Sequence, residues 1–328
     1  MKILVTGGTG FLGKQLVLKL RELGHELVIL GRNAQIGQQL VAENVQFLAR
    51  DLRDKEAMIA ACQGQDYVFH CGALSSPWGK YQDFYQTNVL GTCNIIQGCQ
   101  IHNVKRLIYV STSSVYFDFS HRFNIAESTP LPKPVNAYAK TKQLAEEAIK
   151  QAYQSGLPVI TIRPRGIFGA GDTTILPRLI RASTKTGIPL INQGQACIDI
   201  THIDNVVNAL LLCKDAPDAL LGRIFNITNG EPISIANLLE KLSSKLSYPF
   251  KLKPISYNMA YWAASAMELM ANTLLLGTEP ILTRYTVGLL AFSQTLDITA
   301  ATQELGYKPC VSLEEGLDSF AQWWQEAG

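Results

Sequence analysis

Ile3-Leu4-Val5-Thr6-Gly7-Gly8-Thr9-Gly10-Phe11-Leu12-Gly13 is the stretch that decides the fold of this chain. Its first three residues are an apolar run too short for anything but a buried strand. Glycines then stand at 7, 10 and 13, and Leu16, Val17, Leu20 and Leu23 recur at helical period. Strand, glycine turn and helix in that order form the phosphate-binding start of a dinucleotide fold. Gly7 permits the tight turn, Gly10 lets the backbone approach a pyrophosphate, and Gly13 lets the helix pack close to the sheet. The amides at the helix start, those of Phe11 and Leu12, then face the phosphates. Leu27-Val28-Ile29-Leu30 is a second strand and completes a βαβ unit. A carboxylate directly after such a strand would hydrogen-bond the adenosine ribose. Here Gly31 and Arg32 follow, so NADP is expected in preference to NAD, with Arg32 pairing with the 2′-phosphate. A solvated surface arginine is the alternative reading of Arg32.

Further apolar runs extend the sheet: Val45 to Ala49, Tyr67 to His70, Arg106 to Val110 and Leu157 to Ile162. Helical patterns over residues 84–100 and 138–155 separate the later ones. This alternation predicts an α/β chain with a Rossmann-type doubly wound parallel sheet. Asp51 sits where a carboxylate accepts from the adenine amine, and Asp54 reads as the cap of a helix from Lys55 to Cys62. The small residues Cys71-Gly72-Ala73 after the fourth strand would let the cofactor lie against the strand end. After about residue 170 the rhythm changes, with prolines at 177, 189, 217, 232, 249 and 254. A dinucleotide-binding domain is therefore expected over 1–169. A smaller, mainly substrate-binding C-terminal lobe is expected over 170–328, with a segment from Arg223 to Ile227 returning to the main sheet.

The 328 residues are 47% hydrophobic and carry 29 basic against 27 acidic groups, a net charge of +2. That balance gives no electrostatic footprint for nucleic acid. Seven cysteines are scattered without a CxxC pair, which fits free thiols in a reducing, cytoplasmic setting and no metal site. Met1-Lys2-Ile3-Leu4-Val5 runs straight into the glycine turn, without the longer apolar run of a signal peptide, so secretion by that route is not expected.

Tyr138-Ala139-Lys140-Thr141-Lys142 puts a tyrosine and a lysine on one helix face. A phenol can protonate a carbonyl oxygen while hydride arrives at the carbon, provided a nearby ammonium lowers its ordinary pKa of about 10. Thr112, at the end of the fifth strand, can hold the substrate oxygen, with Ser113 as its substitute. By itself this spacing is common on surface helices. Joined to the glycine unit in the right order it forms a hydride-transfer constellation.

The chain resembles the extended short-chain dehydrogenase/reductases over nearly its whole length. The family's glycine motif falls on Thr6, Gly7, Gly10 and Gly13, its acidic adenine contact on Asp51 beside Leu52, and its strand-four motif on His70-Cys71-Gly72-Ala73. Asn88-Val89-Leu90-Gly91-Thr92 matches another family motif, and Pro164 matches the proline near the nicotinamide. The resemblance implies Thr112, Tyr138 and Lys142 as catalytic residues, Lys142 also holding the nicotinamide ribose, and Asn88 supporting Lys142 through a water. It also implies a homodimer built from helices 84–100 and 138–155. Ser76-Pro77-Trp78-Gly79, Arg163 to Gly169 and Asp199 to Val207 resemble the branch of 3β-hydroxysteroid dehydrogenases and 2-alkyl-3-oxoalkanoate reductases. Nucleotide-sugar enzymes of the family usually carry a phosphate-gripping arginine just before the Asp199 position, where this chain has Ile198. Arg165 is expected to contact a substrate carboxylate. His70, His202 and Asp204 are expected to be structural.

Tyr257 to Gly277 is apolar with one charge, Glu268. A helix pair lining a greasy substrate cavity is the first expectation for it, and peripheral membrane contact the second. The sequence thus points to an NAD(P)-dependent oxidoreductase working on a 3-oxo or 3-hydroxy group of a bulky apolar substrate, a long-chain β-keto acid or a sterol-like molecule. A nucleotide-sugar epimerase or dehydratase and a non-catalytic NADP-binding sensor or scaffold are the alternatives.

Overall fold

A computed structural model describes residues 1–273 and 278–327. A seven-stranded sheet holds β1 (Lys2–Thr6), β2 (Glu26–Gly31), β3 (Val45–Ala49), β4 (Tyr67–His70), β5 (Arg106–Val110), β6 (Val159–Pro164) and β7 (Ile224–Ile227). Every pairing is parallel, in the order β7-β6-β5-β4-β1-β2-β3. The order reverses between β1 and β4, which opens a crevice at their C-terminal ends. This is the Rossmann-type sheet that the alternation of apolar runs predicts.

Side chains alternate between two covered faces. Ile3, Val5 and Ile29 meet Leu16, Val17 and Leu20 of α1 (Phe11–Glu22), with Val206, Val207 and Leu210 of the helix Ile203–Asp215. Leu4, Val68, Leu107 and Tyr109 meet Met58, Ile95, Cys99, Ala145 and Ile149. The last two belong to α2 (Ala137–Gln154). Burial on both faces is why the strands read as continuous apolar runs.

Two boundaries differ from expectation. The amide of Leu157 bonds back to Ala152 O, so this residue closes α2 and β6 starts two residues later. The helix expected over 84–100 is interrupted by a π-helical turn, Tyr85–Leu90, ahead of the helix Gly91–Ile101. Such a turn re-aims a side chain, and here Asn88 lies within it, buried. His70 ties Thr6 (2.6 Å) to Thr92 (3.0 Å), and Nδ1 of His202 accepts from the Asp204 amide at the start of its helix, so both histidines are structural.

The described part of the apolar C-terminal stretch forms one helix, α3 (Tyr257–Thr273), which contributes Tyr261 and Glu268 to the cavity beside Tyr138 but turns its largest apolar side chains outward rather than into it. Ala260, Ala264, Glu268 and Ala271 are buried, whereas Trp262, Met259 and Leu269 are 72%, 66% and 65% exposed. Ala260 and Ala264 pack against Val287 and Ala291 of α4 (Arg284–Ala291), small side chains that suit a close contact between the two helices. Leu274 to Gly277 lies outside the described residues. Among the described residues no helix is long and apolar enough to cross a membrane.

Candidate active site

The crevice begins at the glycine turn. Gly7 has φ +69°, and a Cβ there would stand 2.7 Å from Gly72 Cα. A Cβ on Gly13 would stand 2.1 Å from Gly7 O. The turn, α1 and the segment after β4 therefore meet backbone to backbone. Gly10 caps α1 without a side-chain hydrogen bond, so the first amides of the helix, at Phe11 and Leu12, meet no side-chain cap. A cradle shaped by missing side chains and lined by helix-start amides fits a pyrophosphate.

At the far end of this crevice, Arg32 is exposed after β2. Gly31 has a packing reason of its own, since a Cβ would come within 2.3 Å of Thr9 Oγ1. Nε and Nη2 of Arg53 donate to the Asp51 carboxylate at 2.9 and 2.8 Å. This hydrogen bonding holds the Asp51 carboxyl below its usual range, and the charge of Arg32 adds to it. Leu52 packs on Gly72 and Gly91, where a Cβ would come within 3.0 and 2.8 Å of its side chain. Cys71 and Ala73 are half-buried beyond β4, and burial pushes the Cys71 thiol up to about 12. Pro164, buried at the end of β6, pairs with Ile227.

Thr112, Tyr138 and Lys142 come together where β5 ends beneath α2. Thr112 Oγ1 accepts from the Ser114 amide and donates to Ser114 Oγ, both at 3.1 Å. Burial pushes the Tyr138 phenol above its ordinary value, while hydrogen bonds with Ser75 and Thr112 pull it down. Lys142 is buried. Its Nζ donates to Val110 O at 2.8 Å and lies 4.3 Å from the Tyr109 ring centroid. The hydroxyls of Ser75 and Thr112 are hydrogen-bond partners that favour the phenolate here.

Asn88 takes a different part from the one expected. Its Oδ1 accepts from the Leu74 amide (2.7 Å), and its Nδ2 donates to Leu74 O and Thr141 Oγ1 (both 3.1 Å). It fastens the segment carrying Ser75 to α2. Arg165 also departs from expectation. It is buried, its Nη1 donates to Gln294 Oε1, and it does not line the cavity beside Tyr138. Ser113 is buried and its carbonyl accepts from Gln294 Nε2 at 3.3 Å.

That cavity has a volume of about 240 Å³. Pro77, Trp78, Phe84 and Phe119 line it with apolar groups, and Tyr138, Tyr285, Glu268 and Arg284 with polar ones. Tyr285 Oη donates to Ser114 Oγ at 3.0 Å, which joins the C-terminal lobe to the hydroxyls around Tyr138. The aromatic-rich segment from Tyr285 to Phe292, which the sequence offers as a further part of the pocket wall, does place Tyr285 there, whereas sequence reasoning missed Ser75 and Glu146. Glu146 follows Lys142 by one more helical step, accepts from Ser111 Oγ, and receives Arg163 Nε at 2.9 Å. Only that step of four, repeating the Tyr138–Lys142 interval, could have flagged it.

The sequence profile of the NAD dependent epimerase/dehydratase family matches residues 3–228. The 2-alkyl-3-oxoalkanoate reductase of Stenotrophomonas maltophilia is 36% identical over 97% of each chain. The mouse (Mus musculus) sterol-4-alpha-carboxylate 3-dehydrogenase, decarboxylating, is 33% identical over 98% of this chain and 90% of its own. The crystal structure of a Bacillus cereus UDP-glucuronic acid 4-epimerase in complex with NAD superposes with a TM-score of 0.80, at 22% identity and 99% coverage of both chains. This chain therefore belongs to the NAD(P)-binding epimerase/dehydratase family, with the extended short-chain dehydrogenase/reductase fold. It is an NAD(P)-dependent oxidoreductase of a small organic substrate.

Proposed function

We propose that the enzyme interconverts a 3-oxo and a 3-hydroxy group on a bulky apolar substrate, a long-chain β-keto acid or a sterol-like molecule. The observation that carries this reading is Tyr138, joined to the Thr112 and Ser114 hydroxyls, on the wall of a cavity that Pro77, Trp78, Phe84 and Phe119 also line. The names of the Stenotrophomonas and mouse relatives support it, as does Ile198 in place of a phosphate-gripping cation.

The bound nicotinamide supplies the hydride. Tyr138 gives the substrate oxygen its proton, and Thr112 orients that oxygen, with Ser113 as its substitute. Lys142 would hold the nicotinamide ribose and, in its protonated form, favour the phenolate of Tyr138. Asn88 fixes the segment that carries Ser75. Gly7, Gly10, Phe11, Leu12 and Gly13 hold the pyrophosphate, and Asp51 with Leu52 the adenine. Arg32 favours NADP over NAD. Cys71, Ala73 and Pro164 border the nicotinamide half. The division at residue 169, a homodimer through the helices around 84–100 and 138–155, and a cytoplasmic location belong to the same proposal. Exposed Leu90 and Leu144 on those two helices support the dimer, which light scattering checks. The outward apolar face of α3 supports peripheral membrane contact.

A second reading, a nucleotide-sugar epimerase or dehydratase, has the wider support of the family description and of the solved structures with this fold. Arg284 on the cavity wall is a cation in the second lobe of the kind it requires. Two assays separate them: NADPH and NADH oxidation with 2-alkyl-3-oxoacids and 3-ketosteroids, and chromatography of UDP-sugars incubated with the NAD-loaded enzyme, because epimerisation and dehydration return the cofactor to its starting state. Turnover of UDP-sugars alone would dismiss the ketone reading.

A further inference from the structure

Glu268 is a buried carboxylate on the alanine-lined face of α3, with large apolar side chains on the outward side of the same helix. Placing a charge there is costly unless it is paired and hydrogen-bonded. Both conditions are met by one neighbour. Oε1 accepts from the Arg284 amide at 2.7 Å, and Oε2 accepts from Arg284 Nε at 2.6 Å. The guanidinium is gripped along its Nε edge, Tyr261 touches it as well, and half of the side chain stays exposed on the cavity wall.

A guanidinium presents five N–H groups in a rigid plane. Glu268 holds the Nε edge and fixes that plane, which leaves the Nη edge as a pre-set fork whose geometry matches a carboxylate. Among the described residues lining the cavity, Arg284 is the only lysine or arginine. The next residue, Tyr285, hydrogen-bonds Ser114, so the same helix start delivers one side chain to the hydroxyls at Tyr138 and another to the cavity wall. Arg165, the other arginine of this region, donates through Nη1 to Gln294 Oε1 and is not among the residues that line the cavity.

We propose that Arg284, positioned by Glu268, is the residue that reads the carboxylate of the substrate. The inference rests on the keto-acid reading above and makes it specific: a substrate with a free acid is preferred over its ester or the corresponding neutral ketone.

Binding of a non-reducible 2-alkylalkanoate, its methyl ester and UDP to the NADP-loaded enzyme tests this by calorimetry. The wild type is expected to bind the acid at least tenfold more tightly than the ester. Arg284→Ala is expected to erase the difference while leaving the ester unchanged, and Arg284→Lys to keep part of it. Glu268→Gln is expected to weaken acid binding without affecting the ester, because the fork loses its anchor. A preference for the acid that survives in Arg284→Ala, or an equal loss for acid and ester, overturns the proposal. So does UDP binding that is tight in the wild type and lost in Arg284→Ala, which would assign this cation to a diphosphate. An enzyme that shows the acid preference yet reduces no ketone would remove the reductase reading and leave Arg284 as an acid-binding residue.

Discussion

Lys142 Nζ donates to the carbonyl of Val110 at 2.8 Å, the last residue of β5 and two before Thr112. The helix α2, which carries Tyr138, is thereby pinned to the strand end that carries the hydroxyls. The ammonium is held in a nearly dry place, against the Tyr109 ring and beneath Cys71.

Burial pushes Lys142 down to about 7, with Glu146 working against it. Between about pH 7 and the ordinary lysine value of 10.5 the unfolded chain holds a proton at this position that the folded one has released. Stability attributable to Lys142 therefore rises with pH through that window, by up to about 1.4 kcal/mol per pH unit. Urea unfolding of wild type and Lys142→Met at pH 7, 8 and 9 should show the wild type gaining relative to the variant. Parallel pH dependences would contradict it.

Tyr138→Phe removes the proton donor and keeps the ring that packs against Phe84 at 6.4 Å. A positioned general acid contributes about 10²–10⁴-fold, so kcat should fall by that order while NADPH binding is kept. Thr112→Ala should cost less, with a larger effect on KM. Unchanged NADPH oxidation in Tyr138→Phe with an active ketone would remove this tyrosine from the chemistry.

Arg32 meets the 2′-phosphate in the proposed NADP preference. A hydrogen bond to a charged group contributes about 1.5–3 kcal/mol, so Arg32→Ala should weaken NADPH by about tenfold or more and leave NADH nearly unaffected. Steady-state KM values for both cofactors decide it, and an unchanged ratio would place the preference elsewhere.

Glu146 and Arg163 form a buried ion pair, with side chains 8% and 4% exposed. It joins α2 to β6, and through Ser111 to the end of β5. Arg163→Met strands the carboxylate and should destabilise the protein by about 3–5 kcal/mol, read as a lower urea midpoint. Glu146→Gln together with Arg163→Met should recover part of that loss.

Trp262, Leu269 and Met259 give α3 its outward apolar face. Trp262→Glu combined with Leu269→Glu should abolish co-flotation with phospholipid vesicles and leave turnover of a soluble ketone intact. Absence of flotation in the wild type would end the membrane proposal.

Much of this was legible in the chain. The glycine spacing, the buried strand runs and the tyrosine–lysine step are local patterns, and backbone sterics and side-chain periodicity fix what they become. Asn88 shows where local reading stops. Its motif is plain in sequence, but a π-helical turn aims it at Leu74 and Thr141. Glu268 shows the same limit: in sequence it is one charge in an apolar stretch, and only the approach of α4 gives it Arg284 as a partner.

The sequence by itself determined the buried strands, the glycine turn at the start of α1 and the tyrosine–lysine step on α2, because each rests on neighbours within a turn or a strand. Tertiary structure alone decided which arginine lines the cavity, which face of α3 is buried, and which hydroxyls stand beside the phenol. Those outcomes depend on the packing of segments far apart in the chain. Arg165 lies beside Gln294, and Ser114 beside Tyr285, only once the C-terminal lobe has folded back over the sheet.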